Sequence, residues 1–281
     1  NTGSQSRTGT ITIGDNTVTI RQDGQSQKAS VNSTLDAASF SAGTTSQGFG
    51  TATGVNLSDT TRTWSSSDFI ALGNLREDGA GRPNQALFLP TSLDGTSVKV
   101  NGRSAFVSFI NPNQVNFLVD DDPFVGMVDV EITGPRGESV AYRVFKHDVL
   151  PQFFRFNPEQ GRFVAGVHPD GTLLDRENLF TTFVTRPAKP ADIILLFGSG
   201  WGATNPPLPA SVLVAQPTAL AIPPVIRIGG ANARVFFGGL VASGLYQFNV
   251  EVPDLPAGEH EIIGYIDGMR IPERAYITIG K

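Results

Sequence analysis

The segment DIILLFGSGWGA carries the residue spacing most closely associated with a known chemistry. Its apolar run leads into Gly198-x-Gly200-x-x-Ala203, which satisfies the spacing of a dinucleotide-binding fingerprint. That fingerprint works only when a helix begins directly after the glycines, because the helix N-terminus holds the pyrophosphate. Here the residues TNPP follow, and no strand–helix–strand pattern surrounds them. We therefore predict a glycine-rich turn with Trp201 packed at a corner, and no nucleotide site.

Residues that usually serve as nucleophiles, bases or metal ligands are scattered along the chain. Ser199 does not sit at the centre of a G-x-S-x-G motif. The three histidines, His147, His168 and His260, lack the spacing of a metal-binding pair. Cysteine is absent, which removes disulfides, thiol catalysis and thiolate metal sites. We therefore predict no enzyme, no catalytic residue and no cofactor.

The densest acidic cluster is Asp120, Asp121 and Asp122, followed by a proline. Calcium prefers several oxygen ligands that converge from loops, so a calcium site is one interpretation of this cluster. No glycine-punctuated D-x-D-x-D loop is present, however. A solvated loop at the end of the strand predicted over Gln114 to Val119 is the favoured interpretation.

Aromatic residues offer a second kind of site, because sugars stack on aromatic rings. Trp64 and Trp201 are the candidates for an exposed, glycan-facing surface. The stretch PQFFRF (Pro151 to Phe156) could also form a sugar platform. It lies at the boundary between the two predicted domains, so burial of its rings in the interface between them is favoured.

Composition indicates many short strands and excludes several partners. The 281 residues are 40% hydrophobic and 17% charged, with 31 glycines and 19 prolines, which fits strands joined by turns. With 21 basic and 26 acidic residues, the net charge is -5 and no basic run stands out. Nucleic acid and anionic membrane surfaces are therefore poor partners. No apolar stretch approaches the roughly 20 residues of a membrane span, and the start of the chain indicates a processed form or a fragment.

The first residues predict a β-hairpin. Thr8 to Ile13 and Asn16 to Gln22 alternate apolar and polar residues around a Gly14-Asp15 turn. An isolated hairpin is marginal in water and must find a sheet. Five of its residues are candidates for self-assembly: Thr10, Ile11, Ile13, Val18 and Ile20.

Two later regions resemble each other and predict an internal duplication. Ser97 to Val119 parallels Val225 to Val252, and each region contains a turn followed by a strand with Gln-x-Asn. The turns are Asn101-Gly102 and Gly229-Gly230, Gln114 corresponds to Gln247, Asn116 corresponds to Asn249, and Gly126 corresponds to Gly258. Upstream, Asp68 to Leu75 echoes Asp192 to Gly202. A repeat of this kind predicts two copies of one sandwich, with Gln114 superimposed on Gln247.

The predicted fold is all-β, with two tandem immunoglobulin-like β-sandwiches preceded by the N-terminal β-hairpin. The predicted boundaries are 1–28 for the hairpin, 29–62 for a Ser/Gly/Thr-rich linker or irregular edge, 63–148 for sandwich 1 and 149–281 for sandwich 2. The linker interpretation would give the hairpin a tether of about thirty residues and an average reach on the order of 30 Å.

Six segments, in order along the chain, carry a resemblance to a known family. They are DAASF (Asp36 to Phe40), LPTSLDGTSVKVNG (Leu89 to Gly102), INPNQVNFLV (Ile110 to Val119), VHPDGTLLD (Val167 to Asp175), DIILLFGSGWGATNPP (Asp192 to Pro207) and GLYQFNVEVPDLPAGEH (Gly244 to His260). Over roughly residues 30–281 the chain resembles the C-terminal domain family of secreted acidobacterial proteins of the Solibacter type. The resemblance implies immunoglobulin-like folds, export and no established catalysis. The chain departs from the pattern at the three aspartates and in a longer insert around Thr51 to Pro83.

Residues 1–24 separately resemble the last two strands of a BACON domain. The matching pieces are RTGTITI (Arg7 to Ile13) and VTIRQDG (Val18 to Gly24). BACON domains are often attached to carbohydrate-active proteins, but carbohydrate binding does not transfer from so small a remnant.

Two functions follow as expectations. The first is a non-catalytic structural or adhesive protein at a bacterial cell surface, whose partners are other copies of itself or other surface proteins and which forms a fibre by β-strand addition. The alternative is a carbohydrate-binding accessory module of a secreted carbohydrate-active protein, with polysaccharide as its partner. The hairpin itself has a plainer interpretation, in which the chain begins inside a BACON-like domain and the hairpin docks on sandwich 1.

Overall fold

The fold is all-β, as predicted. The computed structural model describes residues 6–22, 29–38, 40–71, 76–77, 83–84, 86–137, 139–156, 162–177, 180, 182–272 and 274–281. Within these residues the one helical element is a single 3₁₀ turn over Ser66–Asp68. No helix of the described chain has the length and apolar character needed to cross a bilayer.

The chain begins with the predicted hairpin, β1 (Arg7–Ile13) and β2 (Asn16–Gln22). The strands pair antiparallel in a register that places Ile11 opposite Val18. Gly14 turns the chain with φ +60°, a left-handed value that glycine adopts without strain.

Between Ser30 and His147 the described residues form fifteen strands, several of them very short, which build the first sandwich and two small separate sheets. They are β3 (Ser30–Asp36), β4 (Thr44–Thr45), β5 (Phe49–Val55), β6 (Arg62–Thr63), β7 (Ile70–Ala71), β8 (Arg76–Glu77), β9 (Pro83–Asn84), β10 (Leu87–Phe88), β11 (Ser92–Leu93), β12 (Thr96–Val100), β13 (Arg103–Ser104), β14 (Phe106–Asn111), β15 (Gln114–Leu118), β16 (Gly126–Thr133) and β17 (Ser139–His147). One layer has the strand order β3-β5-β15-β14-β6, and the other has β11-β12-β16-β17-β4 with β13 beside β12. A buried core of mostly valine, isoleucine and phenylalanine side chains lies between them.

The segment 29–62 is not a linker. Strand β3 pairs with β5, and β5 pairs in turn with β15, so both strands complete the first layer. The linker interpretation was wrong because it relied on small, polar composition. These strands need small residues: a side chain at Gly50 would meet the ring of Phe117 at 2.6 Å.

The described part of the second sandwich contains twelve strands. They are β18 (Gln152–Phe153), β19 (Gly166–Val167), β20 (Leu173–Leu174), β21 (Thr185–Arg186), β22 (Ile193–Ser199), β23 (Thr218–Ala219), β24 (Val225–Ile228), β25 (Ala231–Ala242), β26 (Leu245–Glu251), β27 (Gly258–Ile266), β28 (Met269–Arg270) and β29 (Ala275–Ile279). The long β25 pairs with β24 at its start and with β26 further on, so it passes from one layer to the other. The two layers enclose a second core of buried apolar side chains.

The two sandwiches repeat one arrangement, which confirms the predicted match of the Gln-x-Asn strands. In each, the Gln-x-Asn strand lies between two neighbours, β5 and β14 or β22 and β25. Asn116 pairs with Phe109 and Asn249 with Phe237, and a β-bulge precedes each phenylalanine. The next strands begin at Gly126 and Gly258, with φ values of +143° and +146°. Sheet membership changes between His147 and Gln152.

The upstream part of the predicted repeat was wrong. The counterpart of Ile193–Ser199 is Phe49–Val55, since each pairs with its own Gln-x-Asn strand. Ile70–Ala71 instead pairs with Leu87–Phe88 in a small separate sheet, and residues 72–75 lie outside the described residues.

One buried carboxylate in the second sandwich predicts a pH-dependent stability. Asp175 Oδ1 accepts hydrogen bonds from Thr278 Oγ1 at 2.7 Å and the Arg176 amide at 2.6 Å, while Oδ2 is buried and has no hydrogen-bond partner among the described residues. Burial raises the pKa of Asp175 above its usual 3.8, against the lowering effect of these hydrogen bonds. A carboxyl with a raised pKa favours the folded state at low pH, and that stability is lost as pH rises through the folded pKa.

We therefore expect Asp175→Asn to stabilise the protein by about 1 kcal/mol at neutral pH, because an amide costs less to bury than a carboxylate. The gain should shrink as pH falls and Asp175 becomes protonated. Urea unfolding of both proteins between pH 4 and 8 measures this, and a difference that does not change with pH would contradict the assignment.

Candidate functional site

The outer face of the first layer carries a groove of about 430 Å³ beside Trp64, a size within the range of small-molecule sites. We call it the Trp64 groove. Its walls are five aromatic rings and a set of hydroxyl and amide side chains: Phe40, Phe49, Trp64, Phe109 and Phe154, with Thr51, Thr63, Ser108, Gln114 and Asn116, and with Ala37 completing the lining.

Trp64 is held by its own short segment of chain. Its amide donates to Ser108 O at 2.9 Å, and its ring packs edge-on against Phe49 and Phe69. Arg62 and Asp68 flank Trp64 in the sequence, and Arg62 donates two hydrogen bonds of 2.9 and 3.0 Å to Asp68. These bonds lower the pKa of Asp68 to about 2. The tryptophan is therefore half-buried and fixed, with the remainder of its surface turned to the groove.

A row of polar side chains crosses the floor of the groove. The cross-strand register aligns Thr51, Asn116, Phe109 and Thr63 on four neighbouring strands. Gln114 Nε2 donates to Asn116 Oδ1 at 2.8 Å. That bond leaves Gln114 Oε1 and Asn116 Nδ2 as an acceptor and a donor without a partner among the described residues. The floor therefore presents both hydrogen-bonding polarities to a ligand.

Phe40 stands at the rim in a strained conformation. Its φ is +58°, a left-handed value that costs a bulky residue about 1–2 kcal/mol. The turn that holds it depends on Asp36, whose carbonyl accepts from the Phe40 amide and whose Oδ1 accepts from the Ala38 amide, both at 2.9 Å. The ring is 48% exposed.

The second sandwich repeats the polar floor without the tryptophan. Gln247 Nε2 donates to Asn249 Oδ1 at 2.8 Å, as in the first copy. The neighbouring positions are Leu195 and Phe237. The duplication therefore supplies an internal comparison for the Trp64 groove.

Trp201, the other predicted glycan-facing residue, is not at the surface. It is 0% exposed, and its Nε1 donates to Gln152 O at 3.0 Å. Its ring packs against Phe153 and Phe248 in the second core. The glycan prediction for Trp201 was wrong. Gly198 and Ser199 end strand β22 rather than lying in a turn; irregular chain with positive φ at Gly200 and Gly202 follows, and no helix begins there among the described residues.

The aromatic stretch 151–156 contains one ring that fits burial and one that fits the interpretation as a sugar platform. Phe153 is buried in the second core. Phe154 is half-buried and lines the Trp64 groove. The sequence favoured burial for all rings of this stretch, but one of them, Phe154, lies at the surface of the groove.

The three aspartates bind three different partners and do not converge. Asp120 pairs with Arg103 at 3.1 Å, and Asp122 Oδ2 accepts from Asn101 at 2.8 Å. Burial would raise the pKa of Asp122, but hydrogen bonds from Asn101 and the Phe124 amide and the charge of Lys146 outweigh it and lower the pKa. Among the described residues no group of three acidic or histidine side chains could hold a metal ion.

Asp121 joins the two sandwiches. Its Oδ1 accepts from Gln47 Nε2 and its Oδ2 from the Ala210 amide, both at 2.9 Å. Gln47 also donates to Leu208 O at 3.0 Å. Asp121 thus has a structural role at this junction, and the described residues offer no group of ligands for the calcium interpretation. The favoured interpretation placed the aspartates in a solvated loop after the strand, and they follow β15 with partly exposed side chains.

The self-assembly residues of the hairpin lie on both of its faces. Ile11, Ile13, Val18 and Ile20 share one face, as the alternation and register require, and are 50%, 71%, 54% and 49% exposed. Thr10 lies on the opposite face, opposite Thr19. Neither strand pairs with any other strand of the described chain.

Sequence reasoning found Trp64 but missed the residues around it. Gln114 and Asn116 were recognised only as repeat markers, and Phe40, Phe49 and Phe109 carried no signal of their own. Alternation places Gln114 and Asn116 on the face away from the core, so the sequence could have indicated that they share a surface. It could not indicate which strands flank them.

Comparison with known proteins gives likenesses of shape only. No family model matches the chain, and no curated protein matches it. The prediction of the acidobacterial family and of a BACON remnant therefore stays a prediction.

Similar solved structures include the Bacteroides ovatus mixed-linkage glucan utilization locus protein SGBP-B in complex with a heptasaccharide (8% identity, TM-score 0.38, 94% of this chain and 49% of that one). Others are the surface glycan-binding protein PbSGBP-B from Prevotella bryantii (10%, 0.25, 89% and 42%) and the Escherichia coli adhesin FdeC (9%, 0.28, 95% and 69%). The chain spans less than half the length of the first two. The function is argued below from the residues of this chain.

Proposed function

We propose that the protein is a non-catalytic structural and adhesive module of a bacterial cell surface, which joins further copies by β-strand addition through its hairpin. The observation that carries this proposal is the exposure of every residue of β1 and β2. A two-stranded sheet with two open edges and a solvent-exposed apolar face lacks the burial that stabilises ordinary sheets.

The apolar face of the hairpin supports an added sheet as the partner. Its four large side chains form one contiguous strip along both strands. Contiguous exposed apolar surface marks an interaction site. Both edges also present unpaired backbone groups, which an acceptor strand of another copy would satisfy.

The chain between the hairpin and the first sandwich is shorter than the sequence suggested. Strand β3 begins at Ser30, so seven residues separate it from Gln22. Even when fully extended, seven residues reach at most about 25 Å, which is less than the predicted average reach. The acceptor must therefore lie close to the start of the donor's own first sandwich, which favours tightly packed neighbours.

We expect deletion of residues 1–22 to abolish assembly while both sandwiches stay folded. Light scattering and electron microscopy measure assembly, and circular dichroism measures folding. Ile11→Glu should have the same effect because it charges the apolar face, whereas Thr12→Glu on the opposite face serves as the matched control. A protein that is monomeric both before and after the deletion would refute strand addition.

A second candidate function is polysaccharide binding as an accessory module. The Trp64 groove favours it, because aromatic rings and neutral hydrogen-bonding groups share one surface. The two functions are compatible, since the groove and the hairpin involve different residues.

A further inference from the structure

We infer that the Trp64 groove binds a neutral polysaccharide, with Phe40 and Trp64 as stacking rings and the Gln114–Asn116 pair as the hydrogen-bonding floor. This inference rests on the second proposed function and assigns its site. Among the described residues that line the groove, none is ionisable. A charged ligand would therefore lack a counter-charge, whereas a neutral sugar needs none.

The chemistry of the lining matches that of a sugar ring in two respects. A pyranose presents C–H groups on its faces, which pack on aromatic rings, and hydroxyl groups at its edge, which both donate and accept hydrogen bonds. The groove supplies five aromatic rings and the exposed hydroxyl group of Thr63, whereas Thr51 and Ser108 also line it but are buried. The free amide atoms of Gln114 and Asn116 offer the matching donor and acceptor.

The strain at Phe40 is a second, independent observation. A residue with φ +58° and a half-exposed ring contributes little to the core, and glycine would adopt this conformation more easily. Strained residues persist where a function needs the side chain in that place. Phe40 is thus held at the rim of the groove at a cost in stability.

The test exploits the two tryptophans. Trp201 is fully buried in the second sandwich, so a change in fluorescence on adding a ligand reports on Trp64. The probes are three neutral soluble polysaccharides, a β-glucan, a xylan and a mannan, with polygalacturonate as the charged comparison. Affinity electrophoresis on the same polymers gives an independent measure.

We expect at least one neutral polymer to bind, and Phe40→Ala and Asn116→Ala each to weaken that binding about tenfold. Trp64→Ala should abolish it. The matched controls are Phe236→Ala, which removes an exposed ring elsewhere (51% exposed), and Asn249→Ala, which breaks the equivalent amide pair in the second copy. Both controls should bind like the unaltered protein.

Phe40→Gly separates binding from folding. It should weaken binding as Phe40→Ala does, with no loss of thermal stability, because glycine relieves the left-handed strain. The inference is overturned if none of the three neutral polymers binds, if the control variants weaken binding equally, or if only polygalacturonate binds and added salt releases it. None of these results bears on the proposed assembly through the hairpin. A hairpin deletion that does not change assembly would likewise not bear on binding in the groove.

Discussion

Replacing Trp201 with alanine is expected to lower the free energy of unfolding of the second sandwich by about 3–5 kcal/mol. The side chain is fully buried, contacts Phe153 and Phe248, and donates to Gln152 O at 3.0 Å. Its removal leaves a cavity and takes one hydrogen-bond donor from the buried carbonyl of Gln152. Tyr246, which donates to Gly202 O at 2.6 Å, can hold the loop in place but cannot fill the space.

Guanidinium unfolding followed by circular dichroism measures this loss. Trp201→Phe keeps most of the volume and loses only the hydrogen bond, so it should cost less than the alanine variant. Trp64→Ala is the surface comparison and should cost less again. An effect at Trp64 as large as that at Trp201 would mean that the burial of the two residues has been misjudged.

Replacing Lys146 with methionine is expected to cost about 2–4 kcal/mol. The side chain is 1% exposed, and its Nζ donates to Asp122 O at 2.6 Å and Phe124 O at 3.0 Å. Burial lowers the pKa of Lys146, while the negative charges of Asp122, Asp148 and Asp121 act in the opposite direction. Methionine fills the space but leaves the carbonyls without this donor and removes one of the two cations, Lys146 and Arg103, that act on Asp122.

Lys99→Met is the matched control, because Lys99 lies on the solvent side of β12. It should change stability by less than about 0.5 kcal/mol. The comparison is made by urea unfolding at neutral pH. If both substitutions cost the same, the buried ammonium has no special role at the end of the Asp120–Asp122 loop.

Much of the fold could be predicted from local patterns. Strict alternation predicted the hairpin and β26, and the paired glycines and Asn-Gly predicted turns that have positive φ in the structure. The repeat of Gln-x-Asn predicted two copies because the same strand must occupy the same place in each. Each of these signals, including either copy of the repeat taken by itself, lies within a few dozen neighbouring residues.

The wrong sequence predictions have one physical cause, which is contact between residues far apart in the chain. Strands β3 and β5 look like linker because the ring of Phe117 requires Gly50 to be small. Trp201 looks like a surface residue in a glycine-rich turn, yet its ring lies against Gly264, where any side chain would overlap it. Neither partner can be identified from spacing. The Trp64 groove likewise combines strands that only the sheet order brings together.

The apolar contact between the sandwiches bears on how such domain pairs evolve. Leu89, Phe106 and Leu118 of the first sandwich are buried together with Ala210, which belongs to the second. The amide of Leu89 donates to Ser211 O at 2.9 Å in the same place, and the ring of Phe154 also comes from the second sandwich. A gene rearrangement that separated the halves near residue 148 would expose this contact and leave the groove without one wall. A gene rearrangement that preserves this contact must therefore move the two sandwiches together, although each has a core of its own.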